Sequence, residues 1–377
     1  MSFYYKSPEI SLMFLQKLFL INFKNYAQAE IEFCPKFNCF VGNNGEGKTN
    51  LLDAIHYLSL CKSFFNSVDS QNIMHEAPFF VIQGLYQADD KELDIYCGIK
   101  RNEKKQFKKN KKEYARLADH IGLVPLVMIS PKDGELITEG SETRRKFIDS
   151  VISQLDKDYL VKLINYNKVL TQRNALLKYF SESRTFQKES IEIWDMQLAQ
   201  YGNYIFEKRK TFLEEFVPLF QEYYDLISNK KEKVSILYET QLDGDNFETL
   251  LNETIQKDLR SQYTGIGIHK DDLAFNLNEF SIRKNGSQGQ QKSFLIALKL
   301  AQFDYLKKIK SFNPILLLDD VFDKLDQGRV EKLMNIVSSE NFGQIFITDT
   351  HKNRIEHILL ELNSDFKIFE IENGAVL

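Results

Sequence analysis

Eight residues constrain this chain more than any others: Gly42-Asn43-Asn44-Gly45-Glu46-Gly47-Lys48-Thr49. They fit the spacing G-x-x-x-x-G-K-[ST] and follow an apolar run ending in Phe40-Val41. After them Leu51, Leu52, Ile55 and Leu58 recur at helical spacing. Strand, glycine loop and helix in that order can grip a polyphosphate. Backbone N–H groups converge on an anion only where no side chain blocks them, and the helix start adds its positive end. On this reading Gly42, Asn43, Asn44, Gly45, Glu46 and Gly47 form the cradle for ATP. Lys48 reaches the β- and γ-phosphates, and Thr49 ligates Mg²⁺.

Two later segments suit the same chemistry. Ile315-Leu316-Leu317-Leu318 is a continuous apolar run, as expected of a parallel strand covered on both faces, and it ends in Asp319-Asp320. Asp319 is the candidate for holding Mg²⁺, and Asp320 for orienting or deprotonating the attacking water. Ser287-Gln288-Gly289-Gln290-Gln291-Lys292 precedes an amphipathic helix with Phe294, Ala297, Leu298, Ala301 and Tyr305 on one face. A hydroxyl, backbone donors and a helix dipole suit a multiply charged anion. They also suit a plain helix cap.

The remaining sequence sets the organisation. At 377 residues the chain can hold two domains, or one with an insertion. Residues 13–41 read as two strands, the second from Ala29 to Val41, separated by a turn at Asn22 to Tyr26. Phe79 to Lys112 reads as hairpins, and strands return near Ile266. Between about residues 140 and 260 glycine nearly vanishes and apolar residues take helical spacing. Asn373-Gly374 marks a closing hairpin. The expected domains are therefore an α/β ATPase core from 1–125 and 265–377, and a helical insertion from 126–264.

Net charge is −4, so any nucleic-acid surface must be local. The candidate is one hairpin carrying Lys100, Arg101, Lys104, Lys105, Lys108, Lys109, Lys111 and Lys112, with Arg144 and Arg145 a weaker second. Cys34, Cys39, Cys61 and Cys97 form no C-x-x-C pair and read as buried free thiols of a reducing compartment. No apolar run reaches the ~20 residues that a membrane helix requires, so a cytoplasmic protein without a membrane partner is expected.

The S-x-G-Q sequence before a helix, ahead of the acidic strand, resembles the signature motif of ABC ATPases. Over nearly its whole length the chain resembles the RecF family. The blocks are LFLINFKNY (Leu18 to Tyr26), NLLDAI (Asn50 to Ile55), Lys62-Ser63-Phe64, Ser130 to Asp133, and Thr143 to Asp149. Arg173 to Leu177, His269 to Leu273, SQGQQKS (Ser287 to Ser293) and LLLDDVFDKLD (Leu316 to Asp326) complete the order. The resemblance implies an ABC/SMC-type P-loop head with a mostly helical second lobe. It implies an ATP-dependent head-to-tail dimer, in which Ser287, Gly289 and Gln290 of one copy close over ATP held by the other. Asp326, in a segment Asp323-Lys324-Leu325-Asp326 similar to the family's D-loop, would lie at that interface. It further implies DNA binding at gaps, RecO and RecR as partners in loading recombinase, slow ATP hydrolysis, and roles in repair, replication and the SOS response. Phe65 departs from the pattern by standing where the family usually has a basic residue. His351 follows the strand Ile345 to Ile347, near where ABC transporters place a switch histidine, and reads as a surface residue. The first twelve residues exceed the family's usual start, making Met13 a candidate initiator. The alternative reading is the nucleotide-binding subunit of an ABC transporter.

Overall fold

The computed structural model describes residues 13–377 except 90, 229, 231, 245, 311 and 323–325. The first twelve residues and Asp323-Lys324-Leu325 of the expected D-loop thus lie outside the described residues. In chain order, β1 (Met13–Phe23) and β2 (Tyr26–Glu32) precede β3 (Phe37–Val41) and α1 (Lys48–Leu60). Hairpin strands β4 (Phe79–Ala88), β5 (Lys91–Lys100), β6 (Gln106–Lys109) and β7 (Lys112–Glu113) follow, then β8 (Leu126–Ile129). The middle comprises α2 (Glu135–Thr138), α3 (Ser141–Leu155), α4 (Lys157–Ser183), α5 (Lys188–Ser228), β9 (Val234–Glu239) and α6 (Phe247–Ser261). Next come β10 (Asp272–Leu277), β11 (Phe280–Ser281), α7 (Ile282–Asn285) and α8 (Gln288–Lys310). The end is β12 (Ile315–Leu318), α9 (Gln327–Ser338), β13 (Ile345–Asp349), α10 (Lys352–Glu361), β14 (Phe366–Glu372) and β15 (Ala375–Val376).

The run expected as one strand from Ala29 to Val41 is two. Pro35 offers no N–H to a ladder, and around it the chain leaves one sheet for another. The first unit runs to Asp133 and also holds Tyr223–Lys230 and Lys292–Leu377. It contains two six-stranded sheets, ordered β2-β1-β4-β5-β6-β7 and β15-β14-β3-β13-β12-β8. In the second, β14, β3, β13, β12 and β8 run parallel, so their C-terminal tips share one edge. Strands β3, β8, β12 and β13 are buried at every residue, which explains why their sequences do not alternate. Phe33, Phe40, Phe346 and Phe369 pack together across β3, β13 and β14, with Phe33 and Phe346 edge-to-face at 4.9 Å. Edge-to-face pairs of this kind add about 0.5–1.5 kcal/mol each beyond the area they bury.

The antiparallel sheet alternates instead. Leu18, Leu20, Ile82, Ile95, Cys97 and Phe107 point into the core with α1, whose Leu58 lies so near Gly84 that a Cβ there would come within 2.6 Å. Phe19, Ile21, Val81, Tyr96 and Gly98 fall on the outer face and stay partly exposed. Of the four thiols, Cys39, Cys61 and Cys97 are buried as expected, while Cys34 is half-buried.

The second unit comprises Gly134–Glu222 and Lys231–Gln291. It is mostly helical, with one antiparallel sheet ordered β11-β10-β9. The expected boundary at 264/265 differs from this, because β10 pairs with β9 along its whole length and Phe275 faces Ile236. Residues 265–291 therefore belong with the helices. Strand β9 was itself read as part of a helical stretch. Two buried guanidinium groups tie the unit together. Arg173 binds Asp195 and Asp258 at 2.5 and 2.7 Å, and Arg209 binds Asp149 and Asp271, each at 2.9 Å. Among the described residues no helix is long and apolar enough to cross a membrane.

Candidate functional site

The loop after β3 bends through three left-handed glycines, Gly42 (φ 153°), Gly45 (φ 90°) and Gly47 (φ 116°). Only glycine tolerates the first and third positions, for two reasons. The dihedrals disfavour a Cβ, and one at Gly42 would meet the Ile371 carbonyl oxygen at 2.3 Å. At Gly47 it would meet the Asn25 amide at 2.4 Å. Helix α1 begins at Lys48, so its free N–H groups open onto the loop. The Lys48 side chain is buried and its Nζ donates to the carbonyls of Gly42 and Asn43 at 2.7 and 2.8 Å. The sequence reading treats Glu46 only as part of the cradle. Its carbonyl accepts from Asn25 Nδ2 and from the Gly374 N–H, and its carboxylate accepts from the Asn373 N–H. Asn50 Nδ2 donates to Asn25 Oδ1, and Tyr26 Oη to the Gly47 carbonyl. Asn25, Tyr26 and Asn50 fall inside the blocks quoted for the family, but their bracing role was not legible from them.

At the tip of β12, Asp319 is buried and accepts from Thr49 Oγ1 at 2.8 Å and from Thr348 Oγ1 at 3.0 Å. Burial pushes the Asp319 carboxyl up to about 6, reinforced by the charge on Asp320 and opposed by both hydroxyls and the Lys48 ammonium. Asp320 is left-handed (φ 46°) and half-buried, and its N–H donates to Thr348 Oγ1 at 2.8 Å. Thr49, Asp319, Asp320 and Thr348 thus converge from α1 and the tips of β12 and β13. A hydroxyl and a carboxylate at this spacing are hard oxygen donors of the kind Mg²⁺ takes from a protein that leaves its other positions to phosphate and water. Thr348 is the participant that sequence reasoning passed over. Next to it the buried Asp349 carboxylate takes Arg354 bidentately at 2.7 and 3.0 Å and accepts from the His351 N–H. The His351 side chain is exposed.

Lys62 to Phe65 close over α1. Asp53 accepts from Ser63 Oγ at 2.6 Å and the Phe64 N–H at 2.7 Å, and pairs with Lys24 at 2.6 Å. Where the family usually has a basic residue, the Phe65 ring lies 5.3 Å from the Lys24 ammonium and 5.9 Å from that of Lys132.

In the second unit, Ser287 caps α8. Its hydroxyl accepts from the Gln290 N–H at 3.2 Å, and its own N–H donates to Gln290 Oε1 at 2.7 Å. Ser287 remains exposed and Gly289 is half-buried. Gln290 Nε2 donates to Glu232 at 2.6 Å. Asp326 caps α9 by accepting from the Arg329 N–H at 3.0 Å.

The basic hairpin divides. Lys104, Lys111 and Lys112 are exposed, and Lys108 and Lys109 are half-buried. Lys109 faces Lys112 across a two-residue loop in which Asn110 (φ 49°) and Lys111 (φ 66°) are both left-handed, the pattern of a type I′ turn. Lys105 does not join them. It turns inward to Asp69 (2.8 Å) and the Cys61 carbonyl (2.7 Å), with Tyr57 beneath it. Arg144 and Arg145 are likewise engaged: Arg144 grips Asp272 at 2.7 and 2.9 Å, and Arg145 donates to the Asp271 carbonyl at 2.6 Å. All three side chains thus have partners within the protein.

Comparison with known proteins follows from this geometry. The family described as the RecF/RecN/SMC N terminal domain matches residues 14–375. The DNA replication and repair protein RecF of Phocaeicola vulgatus is 53% identical over 366 residues, 97% of this chain and 98% of that protein. The protein of the same name from Flavobacterium johnsoniae is 53% identical over 359 residues, covering 95% and 100%. Among solved structures, the recombination mediator protein RecF with ATP, of the RecFOR pathway, superposes with a TM-score of 0.88 at 33% identity over 99% of each chain. The Pyrococcus furiosus Smc head domain, with an extended coiled coil and the C-terminal domain of ScpA, shares the fold at a TM-score of 0.57 and 17% identity, covering 97% of this chain and 95% of that one. The alternative of a transporter subunit finds no support among these.

Proposed function

The chain belongs to the RecF family of ABC/SMC-type ATPases, and from that premise we propose that it is an ATP-driven DNA-binding protein of recombinational repair and replication restart. One observation carries the reading: Thr49 and Asp319 hydrogen-bond at 2.8 Å beside a buried lysine in a glycine loop, with Asp320 next in line. Loop amides and Lys48 bind the triphosphate. Thr49 and Asp319 would hold Mg²⁺, which neutralises charge shared between the β- and γ-phosphates. Asp320 orients the attacking water, and Thr348 fixes the Asp320 backbone. The exposed Ser287 and the α8 N-terminus meet the γ-phosphate of ATP held by a second copy, so the nucleotide joins two heads head to tail. Gly289 lets backbone approach there, and Asp326 lies along the same seam. Slow hydrolysis releases the pair. DNA at single-strand gaps engages Lys104, Lys108, Lys109, Lys111 and Lys112, and RecO and RecR are the partners in loading recombinase.

Sedimentation of the full chain with and without ATP and Mg²⁺ tests this. Dimers are expected only with both, and gapped DNA is expected to promote them. Lys48→Ala should weaken ATP binding about 10- to 100-fold, because a charged donor to phosphate is lost. Asp320→Asn should slow hydrolysis about hundredfold or more and trap the dimer. Monomers at saturating ATP in the wild type, or a Ser287→Arg variant that dimerises normally, would refute the head-to-tail arrangement.

A further inference from the structure

The outer face of the antiparallel sheet carries a feature that phosphate binding does not use. Tyr96 of β5 lies between Gln83 of β4 and Lys108 of β6. Side chains on a strand stand off the sheet and lean along it. Tyr96 leans far enough to lie across Gly98, where an added Cβ would meet its Oη at 2.7 Å, Cε1 at 3.1 Å and Cζ at 3.2 Å. The glycine thereby makes room for the ring on the sheet surface. Gly98 sits between Val81 and Gln106, so the ring has an apolar neighbour on one side and an amide on the other. The Lys108 ammonium lies 5.2 Å from the ring centroid. The apolar surface continues through Ile21, which pairs with Val81 and is 40% exposed, and Phe79, 37% exposed. At the other edge Lys108 faces Glu113 on the Tyr96 side of the sheet, where Asp94 also stands, accepting from Gln83 Nε2 at 2.8 Å; Lys109 and Lys112 pair on the opposite side in register with Ile95, and Lys104 and Lys111 lie in the flanking loops.

An aromatic ring on an open sheet, with Lys108 over it and a lysine-rich turn at the sheet edge, matches what unpaired bases need: a π surface to stack on, with phosphates held alongside. Duplex DNA offers its phosphates to the same lysines but keeps its base faces stacked inside. We propose that Tyr96 is a base-stacking platform, and that this sheet face takes single-stranded DNA in preference to duplex, its backbone running along the Lys108–Lys112 hairpin. The inference rests on the DNA reading above and deepens it. Lys108, drawn over the ring in this structure, is positioned to turn to a phosphate when a base covers Tyr96.

The test uses the full chain with ATP and Mg²⁺, and oligo-dT carrying 5-iododeoxyuridine. Ultraviolet cross-linking followed by mass spectrometry should place the adduct on the peptide containing Tyr96. Tyr96→Ala should weaken oligo-dT binding about tenfold, with little effect on a duplex and with the salt slope unchanged. Tyr96→Phe should restore it. Gly98→Val should reproduce the loss with the tyrosine still present, because its Cβ displaces the ring, and thermal melts of each variant exclude unfolding as the cause. Equal losses on both DNAs, no loss, or a Phe variant as weak as the Ala variant would overturn the proposal. Charge reversal of Lys108, Lys109, Lys111 and Lys112 separates the two readings. If it leaves affinity and salt slope unchanged on both DNAs, the DNA reading of the hairpin fails. If it weakens both while Tyr96 is indifferent, only the stacking fails.

Discussion

The glycine loop of the first unit and the interior of the second hold their buried cations differently. In the first, the buried Lys48 ammonium is hydrogen-bonded to two neutral carbonyls, and among the described residues no carboxylate stands within ion-pair distance of it. In the second, each buried guanidinium has two carboxylates: Arg173 with Asp195 and Asp258, Arg209 with Asp149 and Asp271. The second arrangement is neutralised from within and serves cohesion. The first keeps an ammonium at the glycine loop with the Asp319 carboxylate near enough to feel its charge, and an aromatic core supplies the cohesion separately. An ammonium held by loop carbonyls can exchange them for an anion, whereas a guanidinium held by two acids ties helices together.

The strongest way to break that contrast is to remove a tie. Arg209→Met should cost about 3–5 kcal/mol of stability, because the buried Asp271 and the half-buried Asp149 would lose their cation. Chemical denaturation reads this directly, and a loss below about 1 kcal/mol would mean the pair is not structural. The matching change in the first unit is milder. Phe346→Leu keeps an apolar side chain at the centre of the aromatic cluster and should cost about 1–2 kcal/mol.

Acid sharpens the comparison on a smaller scale. His269 accepts from Tyr166 Oη at 2.8 Å and donates to the Thr264 carbonyl at 3.0 Å, so it is held neutral. Burial lowers it to about 4, with Lys270, Arg145 and Arg173 contributing in the same direction. A lowered folded value means that the unfolded chain takes up the proton first. Stability is therefore complete above pH 6.5 and is lost as pH falls from there towards 4, by about 1 kcal/mol at pH 5.5 from this residue alone. His56 and His120 of the first unit are also lowered to about 4 by burial and should add to the slope. Melting curves of wild type and His269→Gln between pH 7.5 and 5.5 should differ in slope. Parallel curves would remove His269 from the account.

How much was legible depended on whether a residue acts through neighbours in sequence. The glycine loop, Lys48, Thr49 and the Asp319-Asp320 tip are short-range patterns whose spacing encodes their geometry, and the structure brings them together. The long apolar strands were legible because a parallel sheet buries both faces. The interior arginines were not, since charged side chains are usually exposed and only tertiary contact shows that Arg173 and Arg209 are not. The contacts of Lys105 were hidden for the same reason: its neighbours in sequence are solvent-facing lysines, while its partners Asp69 and Cys61 belong to a distant segment. Strand β9 escaped because six residues between long helices carry too little alternation to stand out.

Gly374 and Asn373 buttress Glu46 from the β14–β15 hairpin, Asn373 across a separation of 327 residues. During synthesis the glycine loop therefore leaves the ribosome long before its support exists. A nascent chain has the loop's amino acids but lacks the contacts that brace Glu46 until its final strands are made.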